Sequence, residues 1–332
     1  MEKTFAVYRS FAGSRTANVF LFADFGRQCY NRYHECAKSE GGTMEQKRKC
    51  GLVLEGGGTR GIYAAGVLDV FMEEGITFDG VIGVSAGAIH GASYVSGQKG
   101  RSIRYYKKYC SDPRFMSWRN FFTKGDVVDV EFCYHEIPER LEPYDHDAFE
   151  TQGMEFYVGC SNVETGQPEC LRITDFRTEI DKLRASASLP YVSKMVEIDG
   201  RKLMDGGCTD SVPVRGFMKL GYKRNVVVLT RHKGYVKKPE NRWMAGIVFR
   251  KYPAFAKALK QRHLAYNKNI RFIERLEQER KVFVIRPSVE LSIGRMEHDP
   301  ERLQEVYDIG RQDARKQLDA MKKWREETLC KN

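Results

Sequence analysis

The apolar positions change period along the chain, and from Cys50 onward the change is regular. "CGLVLEGGG" (50–58) is a short continuous apolar run that stops at three glycines. "IYAAGVLDVFMEEG" (62–75) follows, and Ile62, Ala65, Gly66, Leu68, Val70 and Phe71 fall on one arc of a helix that Gly75 can end. "FDGVIGVS" (78–85) is strand-like again, and "AGAIHGASYVSG" (86–97) is helical. Further strands are predicted at 155–162, 169–176, 194–205, 225–230 and 281–287, and a short helix over 181–189. "DPERLQEVYDIGRQDARKQLDAMKKW" (299–324) predicts a long amphipathic helix with Asp299 as N-cap and Pro300 in its first turn. Strands alternating with helices predict an α/β fold, three-layer, with a mostly parallel central sheet and helices on both faces. Residues 1–49 carry no clean period and are expected to be an extension outside the core; Met44 is a second candidate start.

Composition narrows the class. The chain has 332 residues, 42% hydrophobic and 30% charged, which suits a globular protein with a sizeable core. The nine cysteines are an odd number at irregular spacing with no C-x-x-C pair, so neither a disulfide framework nor a metal site is expected. Scattered thiols suit a reducing compartment. No apolar run approaches the roughly 20 residues that span a bilayer, and "ANVFLFADF" is interrupted by Asp24. A cytoplasmic location is the expectation. No cofactor is expected.

Three short motifs carry the chemistry. "GGGTRG" (Gly56, Gly57, Gly58, Thr59, Arg60, Gly61) lies between a strand and a helix, where side-chain-free backbone can aim N–H groups at an anion. It also fits G-x-G-x-x-G, and Asp79 lies roughly 20 residues on, as a dinucleotide fingerprint requires. That acid should close the second strand, however, and Asp79 precedes it. "GVSAG" (Gly83 to Gly87) fits G-x-S-x-G: Ser85 sits at a strand-to-helix turn that lifts its hydroxyl clear of the sheet, and glycines clear the space around it. As a plain helix cap, Ser85 would need no such setting. "LMDGG" puts Asp205 at a strand end before Gly206 and Gly207. Alone, Asp-Gly-Gly is a turn. Among the seven histidines none has a compelling local context, and His90 falls within an apolar helix, so Asp205 is the better-placed base for Ser85.

Together and in this order, the three motifs resemble the patatin-like phospholipase family, as does the Ala/Ser-rich approach "RASASLPYVSKMVEIDGRKLMDGG" (184–207). The resemblance covers about residues 50–230; the stretches at 226–239 and 298–314 look like a bacterial subgroup. It implies a serine acyl-ester hydrolase with a Ser–Asp dyad, in which Ser85 is the nucleophile and Asp205 the proton acceptor. The loop from Gly56 to Gly61 becomes the oxyanion hole, its backbone N–H groups around Gly57 and Gly58 doing the binding, with Arg60 supporting the loop or a substrate phosphate. Gly83, Gly87, Gly206 and Gly207 complete the motifs. The implied substrate is a lipid or phospholipid acyl ester. Two rivals follow from the residues: an α/β-hydrolase-type Ser–His–Asp esterase with a late histidine such as His298, and a non-enzymatic basic nucleotide- or nucleic-acid-binding module.

Charge bears on the partner. The net charge is +11, and between residues 231 and 281 fifteen Lys/Arg face four Glu, an excess equal to that of the whole chain. The stretch 101–126 interleaves basic residues with Tyr105, Tyr106, Trp118, Phe121 and Phe122. Such mixtures suit anionic headgroups, so peripheral contact with an anionic membrane at the inner face is expected and nucleic acid is not. The expected organisation is an extension (1–49), a hydrolase domain (50–230), and a basic helical region with one further strand (231–332) packed on the same domain.

Overall fold

The computed structural model describes residues 49–240 and 243–329. The predicted extension, all but Lys49, therefore lies outside the described residues. Eight strands form one sheet: β1 (Cys50–Leu54), β2 (Gly80–Val84), β3 (Glu155–Asn162), β4 (Pro168–Ile173), β5 (Val196–Ile198), β6 (Arg201–Asp205), β7 (Arg224–Val228) and β8 (Val282–Ile285). Their order is β5-β6-β3-β2-β1-β7-β8, with β4 paired to β3. The run β3-β2-β1-β7-β8 is parallel throughout, while β4 and the β5–β6 hairpin join antiparallel. β1 and β2 are buried along their whole length, as strands covered on both faces must be.

Alternate residues of each strand feed different layers. Leu52, Leu54, Val226 and Val228 point into a core shared with α1 (Ile62–Glu73), α2 (Ala86–Val95) and the long C-terminal helix. Val53, Val227 and Val284 point the other way, against Phe217, Tyr266, Ile273 and Leu276. The helices in chain order are α1, α2, α3 (Arg101–Tyr109), α4 (Trp118–Lys124), α5 (His146–Thr151), α6 (Phe176–Ala187), α7 (Val214–Lys219), α8 (Trp243–Val248), α9 (Pro253–Gln278) and α10 (Pro300–Leu329), with a π-helical segment over Phe132–Leu141. This is the three-layer α/β arrangement that the alternating pattern predicts.

α10 crosses α1 at a pair of glycines. A Cβ on Gly66 would lie 2.1 Å from the Tyr307 carbonyl oxygen, and one on Gly310 would lie 2.1 Å from that of Tyr63. Tyr63 and Tyr307 donate to Asp313 and Asp69 across the same interface. Asp299 caps α10 as expected, accepting from the Glu301 N–H at 2.9 Å.

Boundaries differ where side-chain and backbone hydrogen bonds override the apolar pattern. The strand predicted over 169–176 spans Pro168–Ile173, because Asp175 accepts from the Arg177 N–H and starts α6 at Phe176. The predicted helix over 181–189 is the last part of that longer element up to Ala187; Ser188 is extended and Leu189 lies outside it. Of the 101–126 aromatics, Tyr105 and Tyr106 are buried in the core, while Trp118 and Phe122 stand exposed.

Candidate active site

The strand β3 acts as a ruler. Its Gly159 pairs with Val84, the last residue of β2, and its next residue, Cys160, pairs with Asp205, the last residue of β6. β2 and β6 thus meet end to end along one edge of β3, which brings Ser85 and Asp205 together from positions 120 residues apart in the chain. Nothing local to either motif encodes that meeting.

Ser85 opens α2 with φ 53° and ψ −124°, a conformation that non-glycine residues rarely hold. It sits where an N-cap would, yet its side chain accepts no helix N–H, so the capping alternative does not describe it. The turn is tight because its flanks are bare. A Cβ on Gly83 would lie 2.4 Å from the Ala88 nitrogen, and one on Gly87 would lie 2.7 Å from the carbonyl oxygens of Leu54 and Glu55. The strained residue is anchored from α6: the Ser85 N–H donates to Ser186 Oγ at 3.0 Å, and that hydroxyl donates to the Gly159 carbonyl at 2.7 Å.

Asp205 is buried, 4% exposed. Its Oδ1 accepts from the Gly207 N–H at 2.7 Å, and its own N–H donates to the Ser188 carbonyl. Gly206 has no room for a side chain, since a Cβ would lie 2.2 Å from the Gly159 carbonyl oxygen. Burial pushes the Asp205 carboxyl above the usual carboxylate range; the Ser85 hydroxyl, the Arg262 guanidinium, the Gly207 N–H and the Arg295 charge pull it back. Ser85 is therefore close enough to act on the carboxylate, yet Oδ2 completes no hydrogen bond. Such contacts are often loose until substrate binds.

The glycine loop closes the site from the β1 end. Gly56 donates its N–H to the Ser211 carbonyl, and Thr59 donates its own to the Arg295 carbonyl at 3.4 Å. The N–H groups of Gly57 and Gly58 have no acceptor among the described residues. Gly58 holds φ +59° against the Arg295 main chain. Arg60 buries a guanidinium whose Nε has no partner, and Gly61 packs on Ala86 and His90 at the start of α1. Asp79 lies at the opposite end of the strands, where its carboxylate accepts from the Cys50 N–H at 2.7 Å; it is a tie between β1 and β2 and does not face the loop.

The histidines stay apart from this centre. His90 is buried with both ring nitrogens unpartnered, packs against the Tyr106 ring at a tilt of 50°, and is held neutral because burial lowers it to about 3. His298 meets the Cys110 carbonyl with Nδ1 at 2.6 Å. No group of histidine, cysteine and carboxylate side chains among the described residues could hold a metal ion.

Several residues here carry no motif. Ser186 and Ser188 lie in a segment legible only as Ala/Ser-rich. Glu55, 2% exposed, spends both carboxylate oxygens on the Thr230 N–H (2.6 Å) and the Tyr266 hydroxyl (2.8 Å) just before the glycine loop. Arg262 comes from α9, where nothing in the sequence distinguishes it from its basic neighbours. A cavity of about 290 Å³ runs beside α2; it is lined by Ile89, Tyr106, Phe115, Met116, Ile137 and Leu183 among others. Ile89 lies one helical turn from Ser85, and Leu183 nearly one turn from Ser186.

Sequence comparison identifies the family of the motif-bearing region. The family model for patatin-like phospholipase matches residues 52–218, half of the chain. A domain of unknown function (DUF6363) matches residues 252–326. "Uncharacterized protein YjjU" of Escherichia coli is 26% identical over 277 residues, 80% of this chain and 76% of that protein. "Lysophospholipase nte1" of Aspergillus oryzae is 30% identical over 179 residues, 52% of this chain but only 11% of that much longer protein. Among solved structures, VipD from Legionella pneumophila aligns with a TM-score of 0.41 at 13% identity, covering 82% of this chain and 67% of that one.

Proposed function

We propose that this chain, which belongs to the patatin-like phospholipase family, hydrolyses acyl esters of lipids with Ser85 as nucleophile and Asp205 as its only side-chain base. The observation that carries the reading is the pairing of Val84 with Gly159 and of Asp205 with Cys160, beside two backbone N–H groups with no acceptor among the described residues. Ser85 Oγ attacks the ester carbonyl while Asp205 takes its proton. The tetrahedral oxyanion is held by the N–H groups of Gly57 and Gly58, interactions that are each worth about 2.7–4 kcal/mol of barrier in other hydrolases. Collapse expels the alcohol, which takes the proton from Asp205. Water attacks the acyl carbonyl while giving a proton to the same carboxylate, and collapse frees the fatty acid as Asp205 returns that proton to Ser85 Oγ. A buried carboxylate with a raised proton affinity is a stronger base than a solvated one, which suits the role.

The apolar cavity beside α2 receives the acyl chain in this reading. Delivery from a bilayer is supported by α8, which exposes Trp243, Met244, Ile247 and Val248 while Ala245 is buried in a cluster with Met204, next to Asp205 in sequence. Arg250, Lys251 and Lys257 follow in the chain and suit an anionic surface. No helix among the described residues is long and apolar enough to cross a membrane.

A fluorophosphonate probe tests the nucleophile. Label should enter the native chain and be absent from Ser85→Ala, and a panel of phospholipid, lysophospholipid, glyceride and nitrophenyl esters should be cleaved by the native chain only. Labelling that survives Ser85→Ala would move the nucleophile elsewhere.

A further inference from the structure

Five cations gather around this site, more than its carboxylates Glu55 and Asp205 can balance, and four of them make no ion pair among the described residues. The Arg262 guanidinium sits against Gly207, its Nη2 3.1 Å from where a Cβ there would be. The Arg295 main chain packs on Gly58 and accepts from Thr59. Arg60 stands in the glycine loop itself. Arg231 lies over the Tyr235 ring at 4.2 Å and Lys237 over the Tyr266 ring at 4.9 Å, and Tyr266 is the residue that donates to Glu55. Glu55 is already occupied by two donors, and Glu240 pairs with Arg295 at 3.1 Å. Arg60, Arg231, Lys237 and Arg262 form no ion pair among the described residues.

The polar atoms around them are incomplete as well. Arg60 Nε, Arg262 Nε and Thr230 Oγ1 are buried without a partner, and a Cβ on Gly57 would lie 2.9 Å from that Thr230 oxygen. Buried donors without acceptors cost stability, and like charges gathered in one place cost more. The groups feel one another: burial and Arg262, with a smaller push from Arg295, hold Lys237 down to about 7 against the pull of Glu55 and Glu240, and burial, Arg231 and Arg295 hold Arg60 down to about 10 against that of Glu55. Aromatic faces steady Arg231 and Lys237 without neutralising them. A multiply charged oxyanion would supply acceptors and counter-charge together.

We propose that Arg231, Lys237 and Arg262, with Arg60 and Arg295, form a receptor for the phosphate group of an anionic lipid whose ester is cleaved at Ser85. The inference rests on the hydrolase reading above and adds the class of headgroup. Arg262 and Arg295 lie within the stretch matching a domain of unknown function, and Arg231 and Lys237 lie just before it, so the C-terminal region supplies headgroup recognition to the dyad.

The test uses the full chain and the double variant Arg231→Gln/Lys237→Gln. The kcat/KM values are compared for a monoacyl glycerophosphate and a monoacylglycerol with the same acyl chain, both below their aggregation limits. The native chain should favour the phosphate-bearing substrate at least tenfold, and that ratio should fall at least tenfold in the double variant. A ratio that the substitutions leave unmoved, or a native preference for the neutral ester, overturns the proposal. Calorimetric binding of dodecyl phosphate and of inorganic phosphate to Ser85→Ala separates the sources of the anion. Dodecyl phosphate should bind at least tenfold tighter, and equal binding would make this a free-anion site and defeat the lipid assignment. Failure of the hydrolase reading looks different: Ser85 stays unlabelled and neither ester is cleaved, while dodecyl phosphate still binds and is lost with the double variant.

Discussion

Ser186→Ala removes one oxygen atom, and the structure lets its consequences be worked out. Ser186 is fully buried, and its hydroxyl is the sole link between the Ser85 N–H and the Gly159 carbonyl, at 3.0 and 2.7 Å. Deleting it leaves one buried donor and one buried acceptor unmatched, each costing about 1–3 kcal/mol. It also releases the tether on a residue at φ 53°, whose strain is worth roughly 1–3 kcal/mol and persists only while its surroundings impose it. Relaxation of the elbow recovers part of the first cost by giving up the second, so a net loss of about 1–3 kcal/mol is expected. The relaxed elbow carries Ser85 Oγ away from its attack position, and displacements near 1 Å cost on the order of 100-fold in rate. Urea denaturation of native, Ser186→Ala and Ser188→Ala proteins measures the first effect. Ser188 is the control because its hydroxyl donates to the Arg184 carbonyl in the helix that it follows, and its loss should cost about 1 kcal/mol or less. Turnover of a soluble nitrophenyl ester measures the second, with kcat falling about 10- to 100-fold and KM little changed. A folded Ser186→Ala protein with native stability and native kcat would refute the tether.

Four further outcomes follow. Ser85→Ala and Asp205→Asn should each abolish most turnover and be strongly non-additive, while His90→Gln and His298→Ala stay within about tenfold, or roughly 1.4 kcal/mol of barrier; one histidine variant as inactive as Ser85→Ala would restore a triad. Gly83→Ala forces a Cβ to 2.4 Å from the Ala88 nitrogen, where backbone cannot yield, so folded protein should be lost from the soluble fraction, at a cost of more than about 3 kcal/mol. The raised Asp205 carboxyl must be ionised to act, so kcat/KM should fall on acidification through an apparent pKa above the ordinary value; because a raised carboxyl loses stabilisation as pH rises from its unfolded toward its folded value, Asp205→Asn should match or exceed the native melting temperature at pH 7 while inactive. Co-sedimentation with anionic vesicles should exceed that with neutral ones and weaken with salt, at about 1 kcal/mol for each charge near the surface, and Trp243→Ala/Ile247→Ser should reduce it; equal binding to both vesicle types would remove the charge argument.

The local rules were legible in the sequence. An apolar run ending at glycines predicts a strand meeting a turn, and 3.6-residue spacing bounded by Gly75 predicts a helix, so β1, α1, β2 and α2 and the order of the motifs follow from short-range pattern, whereas the burial of α1 on every side from Ile62 to Phe71 does not. The family resemblance follows likewise, because the glycines of "GGGTRG", "GVSAG" and "DGG" answer to backbone geometry within a few residues of themselves. Contacts between segments far apart in the chain are another matter. That Ser85 stands beside Asp205 depends on β3 accepting β2 and β6 along one edge in adjacent register, and no periodicity in 155–162 announces which strand pairs where. Which loop N–H groups stay free was decided by Ser211 and Arg295, 155 and 236 residues beyond Gly56 and Thr59. The basic excess of 231–281 was countable from composition, yet charge alone does not say whether cations face solvent or a nucleophile. Packing α9 against the sheet, with Tyr266 bound to Glu55, turned Arg262 and Lys237 inward toward the site. Sequence alone determined the strand–turn–helix units because hydrogen bonding and side-chain period act over a few residues; the proposed dyad, the open donors and the cation cluster required the folded chain, because each is a meeting of groups that only long-range pairing brings within reach.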